Sequence, residues 1–449
     1  MKKDPYIISE ATTKEPPVNF SGKLKFLGPG FILSASIVGS GELIATTVLG
    51  AKAGFAALWI ILVSCLVKVA VQLEFGKHTI LTGETVMQAF NKLPGPRFGK
   101  GRWTVWIIFF FVTLKAIQLG GMLGGTVIIL NKLFDGIPTS ILAFTIAFLV
   151  SAIIYKGNYS IVEKGSLLMI GVFTILTMVS LYFVQYTEFA FSVSDVIKGF
   201  QINFSNEIIA VAIGAFGITG VASDEIIAYN YWCLEKGYAS YAGPRHDTDE
   251  WRARAQGWIN TMHVDALMAM IIYTTVTVTF YLLGASILYG RGEIPQGNEV
   301  IDTLALIYTR SLGAGVKNIY LIGAFFVLFS SVYASLAFWT RLFPDIFGQL
   351  GWIDFFNIGQ RKKTIAILAW TFPLIWACAY LFINLPVLMV LSGGVVGSCM
   401  LFIVVFGAYH FKYTRQQLVP SGTFYNIAFW ISLVSILAVG LYGVIQVLS

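Results

Sequence analysis

The sequence predicts an all-α polytopic membrane protein with 11 transmembrane helices, made of two five-helix halves whose first helices, 1 and 6, are unwound at mid-membrane. Three observations predict it. Of the 449 residues 57% are hydrophobic and only 12% charged, about half the charge of a soluble domain. Apolar runs matching a bilayer core of about 30 Å recur along the whole chain. A carboxylate among small residues in the first run, Gly39-Ser40-Gly41-Glu42-Leu43-Ile44-Ala45, is echoed in the sixth by Ala222-Ser223-Asp224-Glu225-Ile226-Ile227-Ala228.

In chain order, residues 1–25 have no apolar stretch of the kind that makes a cleaved signal, and read as a polar, mobile cytoplasmic tail. The expected spans are 27–52, 55–80, 103–131, 138–156, 161–186, 206–235, 256–287, 316–341, 363–382, 385–410 and 424–448. With the N-terminus inside, 22 of the 30 Lys and Arg residues fall in inner segments, 6 in outer ones, and 2, Lys68 and Lys115, within spans. That asymmetry is the positive-inside pattern; it puts the N-terminus in the cytoplasm and the C-terminus outside. It also accounts for the net charge of +7 without a nucleic-acid partner. Residues 26–187 and 206–410 form the two repeats of a 26–410 core, and 411–449 add helix 11. The segments 187–205, 236–255 and 288–315 are too short to be separate domains.

A glutamate in hydrocarbon costs on the order of 2–3 kcal/mol or more. Two of them, at matching interrupted positions of two halves, mark the substrate site of a carrier built from inverted repeats. Gly and Ser lower the cost of leaving helical geometry. An unwound segment then exposes carbonyl oxygens beside the carboxylate, and such a donor set suits a hard cation. Glu42, Asp224 and Glu225 are the candidate metal ligands, with Gly39, Ser40, Ala222, Ser223 and, at a flexible point of helix 10, Ser392 around them.

Lys68 and Lys115 lie roughly 18 Å from a helix end at 1.5 Å per residue, too deep to snorkel easily. They pair with the central carboxylates, fill the place of a coupling ion, or sit elsewhere on backbone carbonyls; the sequence leaves these open. Gln118 shares a helix face with Lys115, and His263 and Asp265 flank an inner vestibule. Lys68, Lys115, Gln118 and Asp265 are thus candidates for coupling or gating. Cys65, Cys233, Cys378 and Cys399 have no metal-ligand spacing and read as small apolar residues.

The entry Gly28-Pro29-Gly30-Phe31, the break in helix 1, and Gly50-Ala51-Lys52-Ala53-Gly54-Phe55 with Leu58-Trp59 resemble the natural resistance-associated macrophage protein (Nramp) family of divalent metal transporters, over most of helices 1–10. The resemblance implies the 5+5 inverted repeat of leucine-transporter-like carriers and alternating access. The family's Asp-Pro-Gly-Asn falls on Gly39-Ser40-Gly41-Glu42, and its Met-Pro-His-Asn on Ala222-Ser223-Asp224-Glu225. The histidine that follows falls at Tyr229, which joins the gating candidates, and the tenth-helix glutamine falls near Gly393. Sulfur and imidazole are replaced and carboxylates added, as in a magnesium-transporter-like branch.

The resulting expectation is a secondary transporter in the lipid bilayer of a bacterial inner membrane. Its substrate is a hard divalent cation such as magnesium or manganese, with no tightly bound cofactor and with proton coupling left open. A carrier of an amino acid or other small organic solute on the same fold is the alternative, with a lysine meeting a carboxylate and a glutamate meeting an amine. A non-transporting receptor or channel-like protein is a third reading. No nucleophile–base set points to an enzyme.

Overall fold

The computed structural model describes residues 4–39, 41–200, 204–291, 300–313, 315, 317–415 and 419–448. The first apolar run is split into α1a (Pro29–Ile37) and α1b (Gly41–Ala53), bent by 43°. It is followed by α2 (Leu58–Thr82), α3 (Trp103–Leu133), α4 (Thr139–Ile154) and α5 (Tyr159–Val184). The second half opens with α6a (Asn206–Ile218) and α6b (Ser223–Lys236). It continues with α7 (Asp249–Ile287), α8 (Lys317–Leu350), α9 (Ile358–Ile383) and α10 (Pro386–Arg415), and α11 (Thr423–Leu448) ends the chain. Among the described residues nine helices are long and apolar enough to cross a bilayer, or ten with the bent pair as one span. The remaining expected span, α4, is apolar but has 16 residues, about 24 Å of helix. The 410/411 boundary drawn from sequence falls inside α10, not at its end.

A two-residue hairpin, β1 (Arg97–Phe98) with β2 (Gly101–Arg102), joins α2 to α3, pairing Arg97 with Arg102 and Phe98 with Gly101. Helix α3 packs along α8, α9 and α10, while α7 packs along α1 and α2. On α4, α5 and α11 large apolar side chains such as Phe148, Ile175 and Ile431 stay exposed, which suits a lipid surround and not water.

From Asp4 onward the N-terminal tail is tied to the helices, contrary to what its polar composition suggests. Tyr6 is buried and donates to Glu235 of α6b at 2.7 Å, and Asp4 pairs with Arg361 of α9 at 2.7 Å. The Lys14 carbonyl accepts from the Trp258 indole of α7 at 2.9 Å. One aromatic anchor and a buried ion pair fix a segment that is otherwise mostly polar.

Candidate cation site between two broken helices

Helix α1a stops because Val38 adopts φ −72°, ψ 69°, an inverse γ-turn that Gly39 closes by donating to the Ile37 carbonyl at 2.7 Å. The chain resumes as a π-helical turn over Gly41–Thr46. Gly39 has no room for a side chain beside Ser331, and Ser40 lies outside the described residues. A Cβ at Gly41 would stand 3.0 Å from the Ile218 carbonyl, so the first break rests directly on the second.

In the second break, Thr219–Ala222 leave helical geometry: Thr219 and Ala222 are extended and Gly220 takes φ +60°. A continuous helix would bond the Phe216 carbonyl to the Gly220 N–H. Instead Gly220 N–H donates to Glu42 Oε1 at 3.1 Å, and the Phe216 carbonyl accepts from Lys68 Nζ at 2.7 Å. Two buried opposite charges replace one lost backbone bond. Lys68 also reaches the Thr219 carbonyl at 2.5 Å, and Glu42 accepts from Thr277 of α7 at 3.1 Å.

Helix α6b begins at Ser223 with Ala222 as its N-cap, so Asp224 and Glu225 stand in its first turn, where the positive end of a helix favours carboxylates. Between the breaks lies a small cavity of about 30 Å³, room for one or two waters. Ser36, Lys115, Gln118, Ala222, Asp224 and Glu225 face it, with Ser335 and Met122. Lys115 pairs with Asp224 at 2.9 Å, and Ser36 donates to Glu225 Oε1 at 2.9 Å. Glu225 Oε2 and Gln118 Oε1 are buried with no hydrogen-bond partner among the described residues. The ion pair cancels, so the cavity keeps one formal negative charge and two oxygen acceptors without donors.

The three proposed metal ligands therefore do not share one cage. No three of His, Cys, Asp and Glu converge to hold a metal ion among the described residues. Glu42 is fully buried outside the cavity lining, because its carboxylate turns to the amide side of the α6 break. Ser223 donates to Asp224 at 3.4 Å without lining the cavity, and Ser392 donates to the Met389 carbonyl of its own helix at 2.9 Å. Gly393 instead packs on Gln118.

Lys68 and Lys115 have separate tasks, although each sits at a one-residue interruption of its helix, between Leu58–Val67 and Val69–Thr82 and between Trp103–Leu114 and Ala116–Leu133. Asp265 accepts from Gly28 N–H at 2.8 Å, Gly30 N–H at 2.6 Å and Tyr229 hydroxyl at 3.1 Å, so it caps α1a; neither it nor Tyr229 lines the cavity. His263 stacks on Tyr425. Sequence reasoning missed Ser36, Met122, Ser335 and Thr277, uncharged residues in apolar helices that no motif sets apart from their Ser, Thr or apolar neighbours. It also missed Ser64, whose spacing of four from Lys68 puts both on one face: Ser64 reaches the same Phe216 and Thr219 carbonyls at 3.2 Å.

The fold and the chain have relatives. A solved manganese transporter of Eremococcus coleocola superposes with a TM-score of 0.69 at 13% identity, covering 97% of this chain and 90% of that one. Mhp1, a nucleobase-cation-symport-1 family transporter, superposes with a TM-score of 0.59 at 12% identity, covering 93% and 92%. A Brucella suis protein called divalent metal cation transporter MntH is 25% identical over 303 residues, 66% of this chain. The match spans 61% of that relative's length. The sequence model of the family described as natural resistance-associated macrophage protein-like matches residues 30–446, and the chain belongs to that family.

Proposed function

We propose that the chain is an alternating-access carrier of a small, hard divalent cation, of the magnesium or manganese class. Members of the family are transporters and not enzymes. The observation that carries the reading is the pair of buried, donor-free oxygens, Glu225 Oε2 and Gln118 Oε1, in a cavity formed by the two breaks. A cation supplies what those acceptors lack, and Mg²⁺ is held by one or two carboxylates plus waters. Glu225 and Gln118 are the proposed direct or water-mediated ligands. Asp224 becomes a further one when the cation displaces Lys115. The Brucella relative, called a divalent metal cation transporter, and the Eremococcus manganese transporter support a divalent substrate. Met122 adds one soft donor, the side of the site on which manganese and magnesium differ.

An amino acid or small organic solute has less support, since Asp224 already engages Lys115 and about 30 Å³ is far below the ~300–1,000 Å³ of small-molecule sites. On the same reading the N-terminus faces the cytoplasm and the C-terminus the outside, and the repeats are residues 26–187 and residues 206 to the end of α10. The test is flux into proteoliposomes with Mg²⁺, Mn²⁺, Ca²⁺ and a panel of amino acids, with an internal pH dye to follow protons. Uptake of a divalent cation, abolished by Glu225→Gln, is the expected result, with Met122→Leu lowering Mn²⁺ uptake relative to Mg²⁺. Uptake of an amino acid but of no divalent ion would overturn it.

A further inference from the structure

We propose that Lys68 is a tethered cation. It permanently fills a carbonyl site at the end of α6a that would otherwise need a free monovalent cation to hold the break open. The site is built from backbone. The Phe216 and Thr219 carbonyls converge on one point, where Lys68 Nζ sits at 2.7 and 2.5 Å, 4.8 Å from the centre of the Phe216 ring. Ser64 closes the site from the same helix face and holds the Thr219 hydroxyl at 2.8 Å. Carbonyls at a helix C-terminus carry partial negative charge, and in a membrane interior unbonded carbonyls are costly. An ammonium on a four-carbon stem offers up to three donors as a compact point charge, which is what two carbonyls and a ring face accept.

The charge is also balanced. Lys68 and Glu42 take the two partners of the broken Phe216–Gly220 bond, one the carbonyl and the other the amide. A neutral side chain at position 68 would leave the buried Glu42 carboxylate without its counter-charge, so the site would then recruit a dissociable cation from solution. Since the cation is covalently attached, the solute movement proposed above has no requirement for free sodium or potassium. That last consequence rests on the carrier reading; the occupancy of the site by Lys68 does not.

The test has two arms. The first uses no transported solute: thermal unfolding of purified wild type, Lys68→Ala and Lys68→Gln at constant ionic strength in choline, sodium or methylammonium chloride. Wild type should melt alike in all three. Lys68→Ala should melt lower in choline and regain most of the loss in sodium or methylammonium. If Lys68→Ala does not fold, Lys68→Gln, which keeps N–H donors without charge, should still melt below wild type. An alanine variant as stable as wild type, a loss that neither small cation recovers, or a glutamine variant equal to wild type would overturn the proposal. The second arm measures wild-type divalent flux with sodium replaced by choline. Unchanged flux is expected, and a sodium requirement would overturn the proposal. If wild type moves no divalent cation, the carrier reading fails, while the unfolding arm still decides the role of Lys68.

Discussion

Gly220 shows how narrowly the second break is specified. Its φ of +60° lies in the left-handed region, and a Cβ there would stand 2.8 Å from the Cα of Cys65. The strain alone is about 1–2 kcal/mol for an L-residue, and the backbone of α2 cannot yield as a flexible side chain would. Gly220→Ala should therefore lower the melting temperature and move the amide that Glu42 accepts from, so that bound cation stabilises the variant less than wild type. Thermal unfolding with and without Mg²⁺ measures both, and a variant indistinguishable from wild type would refute the strain argument. Glu42 acts on this amide and on Thr277, whereas Glu225 faces the cavity. The two glutamates that look equivalent in sequence thus have different partners.

Among the elements, α1a has its own means of starting and stopping. Pro29 occupies the first turn, where a missing N–H costs nothing, and Asp265 of α7 takes the Gly28 and Gly30 amides. The Val38 γ-turn ends the helix just after Ser36, the partner of the cavity residue Glu225. Loss of a capping carboxylate costs typically ~1 kcal/mol, up to about 2. Asp265→Ala should cost at least that much, because it also removes the nearer of two acceptors of the buried Tyr229 hydroxyl, leaving it the Met262 carbonyl at 3.3 Å. Chemical denaturation read by tryptophan fluorescence would give the difference, and no loss of stability would remove Asp265 from the cap. The two halves of α6 are anchored differently again: α6a meets α10 through Gly217 and Gly394, where neither position has room for a Cβ.

Across the whole molecule the tail ties elements that the proposed alternating access would have to move apart. Tyr6 holds the end of α6b, Asp4 the first turn of α9, and Lys14 the α7 indole of Trp258. Ile8 packs where Gly83 ends α2. Removing residues 1–16 should therefore loosen the α6b side of the cavity. The expected outcome is faster thiol labelling of an Ala228→Cys variant, a position that lines the cavity, together with a lower melting temperature. Equal labelling rates in full-length and shortened chains would make the tail a stabilising strap with no part in access.

The sequence by itself determined the membrane class, the run of helices and the position of both breaks. Each of these is local: apolar length makes a span, and a carboxylate among Gly and Ser makes helical geometry expensive at that point. Which way a side chain leaves a broken helix is not local. It depends on how far the chain rotates through the Val38 turn and the extended Thr219–Ala222 segment, and packing against α2, α7 and α8 fixes that rotation. Only the tertiary structure therefore turned Glu42 toward Gly220 and Glu225 toward the cavity, gave Asp224 to Lys115, and set Lys68 on the Phe216 and Thr219 carbonyls. The tail followed the same rule: its polar composition describes a mobile segment, and Tyr6 and Asp4 are held only because Glu235 and Arg361 come together beside them in the fold.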